Sequence, residues 1–171
     1  MTETVVPAAP RTAGERVDIT FAGQPWSLAG LGFYNTLLTL LTLGVYVVLI
    51  REKVRATKAG EVNKERRALH EDAWPDSVLQ INNNIRNQFE VPVLFYVLSF
   101  ALWALDSVHW PALAAATLFV LSRIVHAAIH LGSNFVPNRR RAFTVGWWLV
   151  FAMALLVAWE LGKRALGGGP V

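Results

Sequence analysis

The chain has 171 residues, 54% of them hydrophobic and 16% charged, with seven Trp, no Cys and a formal net charge of +4. That length fits one domain, and the apolar excess over the roughly 45–50% of soluble proteins favours a membrane protein. Low charge and abundant aromatics exclude a mainly disordered chain, and the missing Cys excludes a disulfide framework, a Cys-ligated zinc site and a Cys nucleophile.

In chain order, residues 1–27 are polar, carry Pro7, Pro10 and Pro25, and are expected to form a flexible tail. They lack the basic start and apolar run of a cleavable signal peptide. Residues 28–50 carry no formal charge over 23 positions. As a helix they reach about 35 Å, enough to cross a hydrocarbon core. Arg51, Lys53 and Arg55 follow, so this first span reads as a retained anchor.

Residues 51–76 carry seven Lys/Arg beside six Asp/Glu, the composition of a mixed, hydrated loop. A second helix is expected to start at Pro75-Asp76-Ser77, with Trp74 at the interface. Its uncharged stretch, residues 91–105, is only 15 long and spans a membrane only by extending back through Glu90 and Arg86. Pro92 removes a backbone donor and crowds the preceding turn, which predicts a kink near Gln88–Glu90. The third span, residues 107–122, must likewise extend through Arg123. The fourth, residues 142–159, supplies 18 uncharged positions, and residues 163–171 form a short tail containing Gly167-Gly168-Gly169. The expected fold is therefore an all-α, integral membrane four-helix bundle over residues 28–162.

Loop charge sets the orientation. The two loops after spans one and three, the latter with Arg139, Arg140 and Arg141, hold ten Lys/Arg. The other side holds four: Arg11, Arg16, Lys163 and Arg164. The positive-inside rule puts the basic loops in the cytoplasm and both termini outside. Trp26, Trp103, Trp110 and Trp159 then form an outer aromatic belt. This distribution also accounts for the net positive charge without a nucleic-acid surface.

The second span carries the run Gln80-Ile81-Asn82-Asn83-Asn84-Ile85-Arg86-Asn87-Gln88-Phe89-Glu90. Helical spacing puts Asn83, Arg86, Asn87 and Glu90 on one face. In the third span Arg123, His126 and His130 also share a face, and Arg123 falls at a depth similar to that of Glu90. A Glu90–Arg123 ion pair is one expectation, with Arg86 a competing partner four residues from Glu90. Such charges either hold helices together or border a polar pocket open to the cytoplasm. The two histidines at i, i+4 suit a metal or a haem only with further ligands, and His70 and His109 lie in opposite loops. A hydrogen-bonding or substrate-contacting role fits them better, and no metal site is expected. There is no Gly-rich phosphate loop, GxSxG or catalytic triad. The Arg, Asn, Glu and His set suits an anionic, peptide-like ligand.

These residues resemble the MAPEG family, the membrane-associated proteins of eicosanoid and glutathione metabolism. The resemblance covers residues 28–159. It rests on Val54-Arg55 after span one, Arg86-Asn87-Gln88-Phe89-Glu90 in span two, and Arg123, His126, His130-Leu131-Gly132, Pro137 and Arg139 around the third loop. It implies a homotrimer with glutathione, as co-substrate, held between subunits near the cytoplasmic face. Arg55, Arg86, Asn87, Glu90 and Arg123 match positions that bind glutathione or shape its pocket, with His126 and His130 beside them. Arg139 matches the arginine that activates the thiol, in a register shared with Arg140 and Arg141. His130 stands where a tyrosine is common, Phe143 where some members have Tyr, and Asn83 where several have Arg. Pro92 follows Glu90 by two residues, a departure that points to a bacterial-type branch in an inner membrane. The implied function is a glutathione-dependent transferase or peroxidase acting on a lipophilic electrophile. The alternative is a non-catalytic lipid-binding or accessory protein on the same scaffold. With no Cys in the chain, any thiol chemistry takes its sulfur from a bound partner.

Overall fold

The computed structural model describes residues 25–167, with side chains from Ala29 onward. Of the tail expected over residues 1–27, residues 1–24 with Arg11 and Arg16 lie outside this description, as do the side chain of Trp26 and residues 168–171, while positions 25–27 already belong to a helix. Five helices follow in order: α1 (Pro25–Lys58), α2 (Asp76–Gln88), α3 (Val91–Ala104), α4 (Trp110–Leu131) and α5 (Val136–Ala165). A single 3-10 turn, Glu71–Ala73, precedes α2. No strand occurs among the described residues.

Three of these helices are long and apolar enough to cross a membrane, over Ala29–Lys58, Trp110–Leu131 and Val136–Ala165. Their outward faces are apolar, with Leu40, Leu43, Leu118, Trp148 and Phe151 all exposed. Water does not tolerate so continuous an apolar surface, whereas a bilayer requires one. The protein is an integral membrane protein with an all-α fold.

The segment expected to form the second span differs from the three long helices because it is divided. Its halves, α2 and α3, are 13 and 14 residues long and meet at Phe89 and Glu90. Pro92 lies in the first turn of α3. It has no N–H to offer the Gln88 carbonyl four residues back, and its ring crowds that carbonyl. The Phe89 N–H instead closes a tighter turn onto the Arg86 carbonyl at 2.9 Å, and Glu90 takes φ −96°, ψ −87°. The kink expected from Pro92 is therefore a complete break. Proline also occupies the first turn of α4 (Pro111) and α5 (Pro137), where a missing donor costs nothing.

Two cores stack along the bundle. One joins Leu31 and Leu38 of α1, Phe95 and Leu102 of α3, Ala112, Ala116 and Phe119 of α4, and Val150 and Met153 of α5. Phe95 and Phe119 stack at its centre with ring centroids 4.6 Å apart. The small Ala112 and Ala116 let α1 approach α4, where the hydroxyls of Tyr34 and Thr117 meet at 2.7 Å. The second core joins Val45, Leu49 and Ala56 of α1 to Val78, Ile81 and Ile85 of α2, with Val62 contributed by the α1–α2 connection.

That connection folds over the end of the bundle. The Asn63 N–H reaches the Ala73 carbonyl at 3.0 Å, and the Asn63 side chain accepts from the N–H groups of Glu65 and Arg66. The amide of Gln80 donates to the His130 carbonyl at 2.6 Å, placing the start of α2 beside the end of α4. Both basic loops thus lie at one end. At the other, the Arg164 guanidinium donates to the Leu105 carbonyl, bringing α5 to the turn after α3.

Candidate functional site

Polar residues converge where α2, the end of α4 and the start of α5 meet. On α4, Arg123, His126 and His130 are all buried, with 1 to 2% of their surface exposed. Residues three and seven positions apart fall on one helical face, and here that face turns inward. The face of α2 that meets them is not the one expected from the sequence. Asn83, Arg86 and Glu90 are exposed and Asn87 half-buried, whereas Asn84 and Gln88 are buried. Gln80, Asn84 and Gln88, spaced i, i+4, i+8, form the inward polar stripe. Gln80 binds the His130 carbonyl, and the Asn84 amide reaches the Ala127 carbonyl at 3.4 Å. The signal was in the sequence: Val78, Ile81 and Ile85 mark the buried side, and Asn84 and Gln88 flank it.

Arg139 ties α5 to this cluster. Its Nη1 donates to Asn134 Oδ1 at 2.5 Å and approaches His130 Nε2 at 3.3 Å. Its backbone carbonyl accepts from His126 Nδ1 at 3.1 Å. These partners assign the tautomers, because a carbonyl only accepts and a guanidinium only donates. His126 carries its proton on Nδ1 and leaves Nε2 as a lone pair. His130 receives on Nε2 and carries its proton on Nδ1. Asn134 takes φ +50°, a conformation Asn adopts more readily than most residues, and so presents its side chain to Arg139.

A cavity of about 300 Å³ opens here, lined by Asn87, His126, Val136, Arg139, Arg140 and Phe143. That volume is at the lower end for small-molecule sites. The buried His126 Nε2 has no protein partner. Arg139 and Arg140 line the cavity, while Arg141 is exposed and does not. Among the described residues no third His, Asp or Glu joins the two histidines in a metal-binding group.

Arg123 lies deeper, between α4 and α5. Its Nη2 donates to the Ala142 carbonyl at 3.3 Å, and the guanidinium carbon sits 5.3 Å from the Phe143 ring and 5.6 Å from the Phe119 ring. Nε and Nη1 have no protein partner. Glu90, exposed in the helix break, does not reach it, so the expected Glu90–Arg123 ion pair does not form. Glu90 lies on the same side of α2 as the exposed Asn83 and Arg86, so the register of that helix already turns it away from Arg123. Arg86 also leaves Glu90 alone and pairs with Glu71 of the 3-10 turn. Arg55 is held by Glu52 at 2.7 Å and by Glu61 at 3.1 Å. The structure therefore brings Asn87, Arg123, His126, His130 and Arg139 together, and places Arg55 and Arg86 in ion pairs on the loop side.

The model of the MAPEG family matches residues 31–159, which takes in α2, α3 and α4, most of α1 and α5, and every residue of this cluster. The chain belongs to the MAPEG family. No curated protein gives a significant match to it. MAPEG membership makes it a membrane protein of a glutathione-related transferase and peroxidase family. Within this MAPEG chain, the conjunction of Arg139, His130 and Asn134 is the best-supported feature of the site, because each partner fixes another.

Proposed function

We propose that this MAPEG protein is a glutathione-dependent transferase or peroxidase that acts on a lipophilic electrophile. The observation that carries the reading is Arg139, clamped by Asn134 and His130 with its guanidinium at the wall of a cavity. Fixed through Nη1, it keeps further N–H donors for a thiolate. A cation beside the sulfur lowers the thiol pKa, and the thiolate is the nucleophile. Asn87 and Arg140 supply an amide and a second cation for the peptide and carboxylate groups of glutathione. The lone pair on His126 Nε2 is a candidate acceptor for a peptide N–H. Arg55, Arg86, Glu90 and Arg123 complete the proposed binding set, the first two by exchanging their present carboxylate partners for the ligand. Attack on the electrophile forms a carbon–sulfur bond as the bond to its leaving group breaks and that group departs with the electron pair. With a hydroperoxide the thiolate takes the outer oxygen as the O–O bond breaks, releasing the alcohol, and a second glutathione displaces that oxygen as water to give the disulfide.

The working unit is proposed to be a homotrimer in a bacterial inner membrane, with the basic-loop end in the cytoplasm and both termini outside. The test is glutathione binding and thiolate absorbance of the detergent-solubilised protein, compared with Arg139→Ala. Thiolate absorbance that disappears in the variant supports the reading, and no binding at millimolar glutathione refutes it. Phe143 favours a second reading, a non-catalytic lipid-binding or accessory role, since it lines the cavity with a ring that has no hydroxyl. Binding without thiolate formation would select it.

A further inference from the structure

A second cleft, of about 250 Å³, lies outside this site, between the end of α1, the folded connection and the start of α2. Its polar lining comes from Lys53, Arg67, His70, Glu71, Trp74 and Asn82. Of the six carboxylates over residues 51–76 four are already used, among them Glu71, the carboxylate that lines the cleft. Glu52 and Glu61 hold Arg55, Asp72 holds Arg66, and Glu71 holds Arg86. Lys53 and Arg67 have no carboxylate partner among the described residues. The Lys53 ammonium instead sits 4.9 Å from the centroid of the Trp74 ring. The cleft therefore carries uncompensated positive charge although the loop as a whole is mixed.

Its walls are fixed. Trp74 Nε1 donates to the Arg67 carbonyl at 3.2 Å, which locks the arm bearing Arg67 against the start of α2. Val62, Ala73 and Val78 are buried beneath it. At the lip, Leu69 is 89% exposed, a large apolar side chain with no cover of its own. Lys53 belongs to a helix that crosses the membrane, so the cleft stands where that helix leaves the apolar layer. Cations, an amphipathic indole and an apolar side chain at that level match a phospholipid: phosphate at the cations, glycerol region against the indole, acyl chains beside the leucine.

We propose that this cleft binds the phosphate of an anionic phospholipid headgroup, with Lys53 and Arg67 as its cationic contacts. The inference does not rest on the glutathione reading, because its two cationic contacts, Lys53 and Arg67, belong neither to the Arg139 cavity nor to the proposed glutathione-binding set. The test is retention of phosphatidylglycerol by the purified full chain in native mass spectrometry, for the wild type, Lys53→Gln and Arg67→Gln. Phosphatidylcholine and inorganic phosphate serve as competitors. The expected result is selective retention of phosphatidylglycerol, weakened about fivefold by each substitution. Neither competitor should displace it at equal concentration. Arg67→Gln lies on an exposed loop and keeps the fold testable if Lys53→Gln does not express. Equal retention by wild type and Arg67→Gln overturns the proposal. So does displacement by inorganic phosphate, which would make the cleft a site for a free anion.

Discussion

The missing side chain of Gly146 is what gives Arg123 its place. A Cβ at position 146 would lie 2.9 Å from Arg123 Nη2 and 2.9 Å from Ser122 Oγ. The guanidinium is pressed against the α5 backbone and capped by Phe143, and α4 and α5 can close on a buried cation only because position 146 is empty.

Gly146→Ala is expected to destabilise the protein by about 1–3 kcal/mol, the usual cost of overpacking a filled core. Adding Arg123→Met should recover part of the loss, since the two substitutions share one space. Thermal unfolding in detergent of both single variants and the double variant measures this. Strict additivity would mean that position 146 and the guanidinium do not compete.

Arg139, Arg140 and Arg141 are adjacent, but only the first two line the cavity. Arg139→Ala should weaken glutathione binding about tenfold and abolish thiolate absorbance, the expected scale for a charge-assisted contact. Arg141→Ala should leave both unchanged. A titration that found Arg141 the sensitive position would shift the proposed register by two residues.

Asn134 has two duties, a positive φ and a hydrogen bond to Arg139. Asn134→Gly keeps the first and removes the second, so it should fold with wild-type stability and still lose glutathione affinity. Asn134→Ala should lose about 1 kcal/mol of stability as well, from the left-handed conformation. If the glycine variant binds glutathione normally, Asn134 is a turn residue and nothing more.

Glu71 competes with the proposed ligand for Arg86. The pair is more than half exposed on both sides, and such pairs contribute about 0–1 kcal/mol. Glu71→Gln should therefore leave the melting temperature nearly unchanged and tighten glutathione binding by freeing the guanidinium. Unchanged or weaker binding in isothermal titration would count against a ligand role for Arg86.

The spans were legible because uncharged runs of membrane length have few other uses, and the break at Phe89–Glu90 was legible as a kink because Pro92 has a fixed chemistry. Which asparagine turns inward was harder. Asn82, Asn83 and Asn84 are chemically identical, and the choice depends on Val78, Ile81 and Ile85, which pack on α1. The folded loop was opaque for another reason. Its order comes from contacts such as Asn63 with Ala73 and Glu71 with Arg86, which join positions that no periodicity relates. Glu90 was placed by its depth, and depth does not say which way a side chain faces: with Asn83 and Arg86 it lies on the exposed side of α2.

That break has a mechanical consequence. α3 is fastened to the membrane core by the Phe95–Phe119 stack, and α2 to the end of α4 through Gln80 and Asn84. Without the Pro92 donor the two halves form a jointed lever, not a rod. A continuous helix would couple the loop end of α2 rigidly to the aromatic stack; the break at residues 89 and 90 leaves two pieces that are anchored separately.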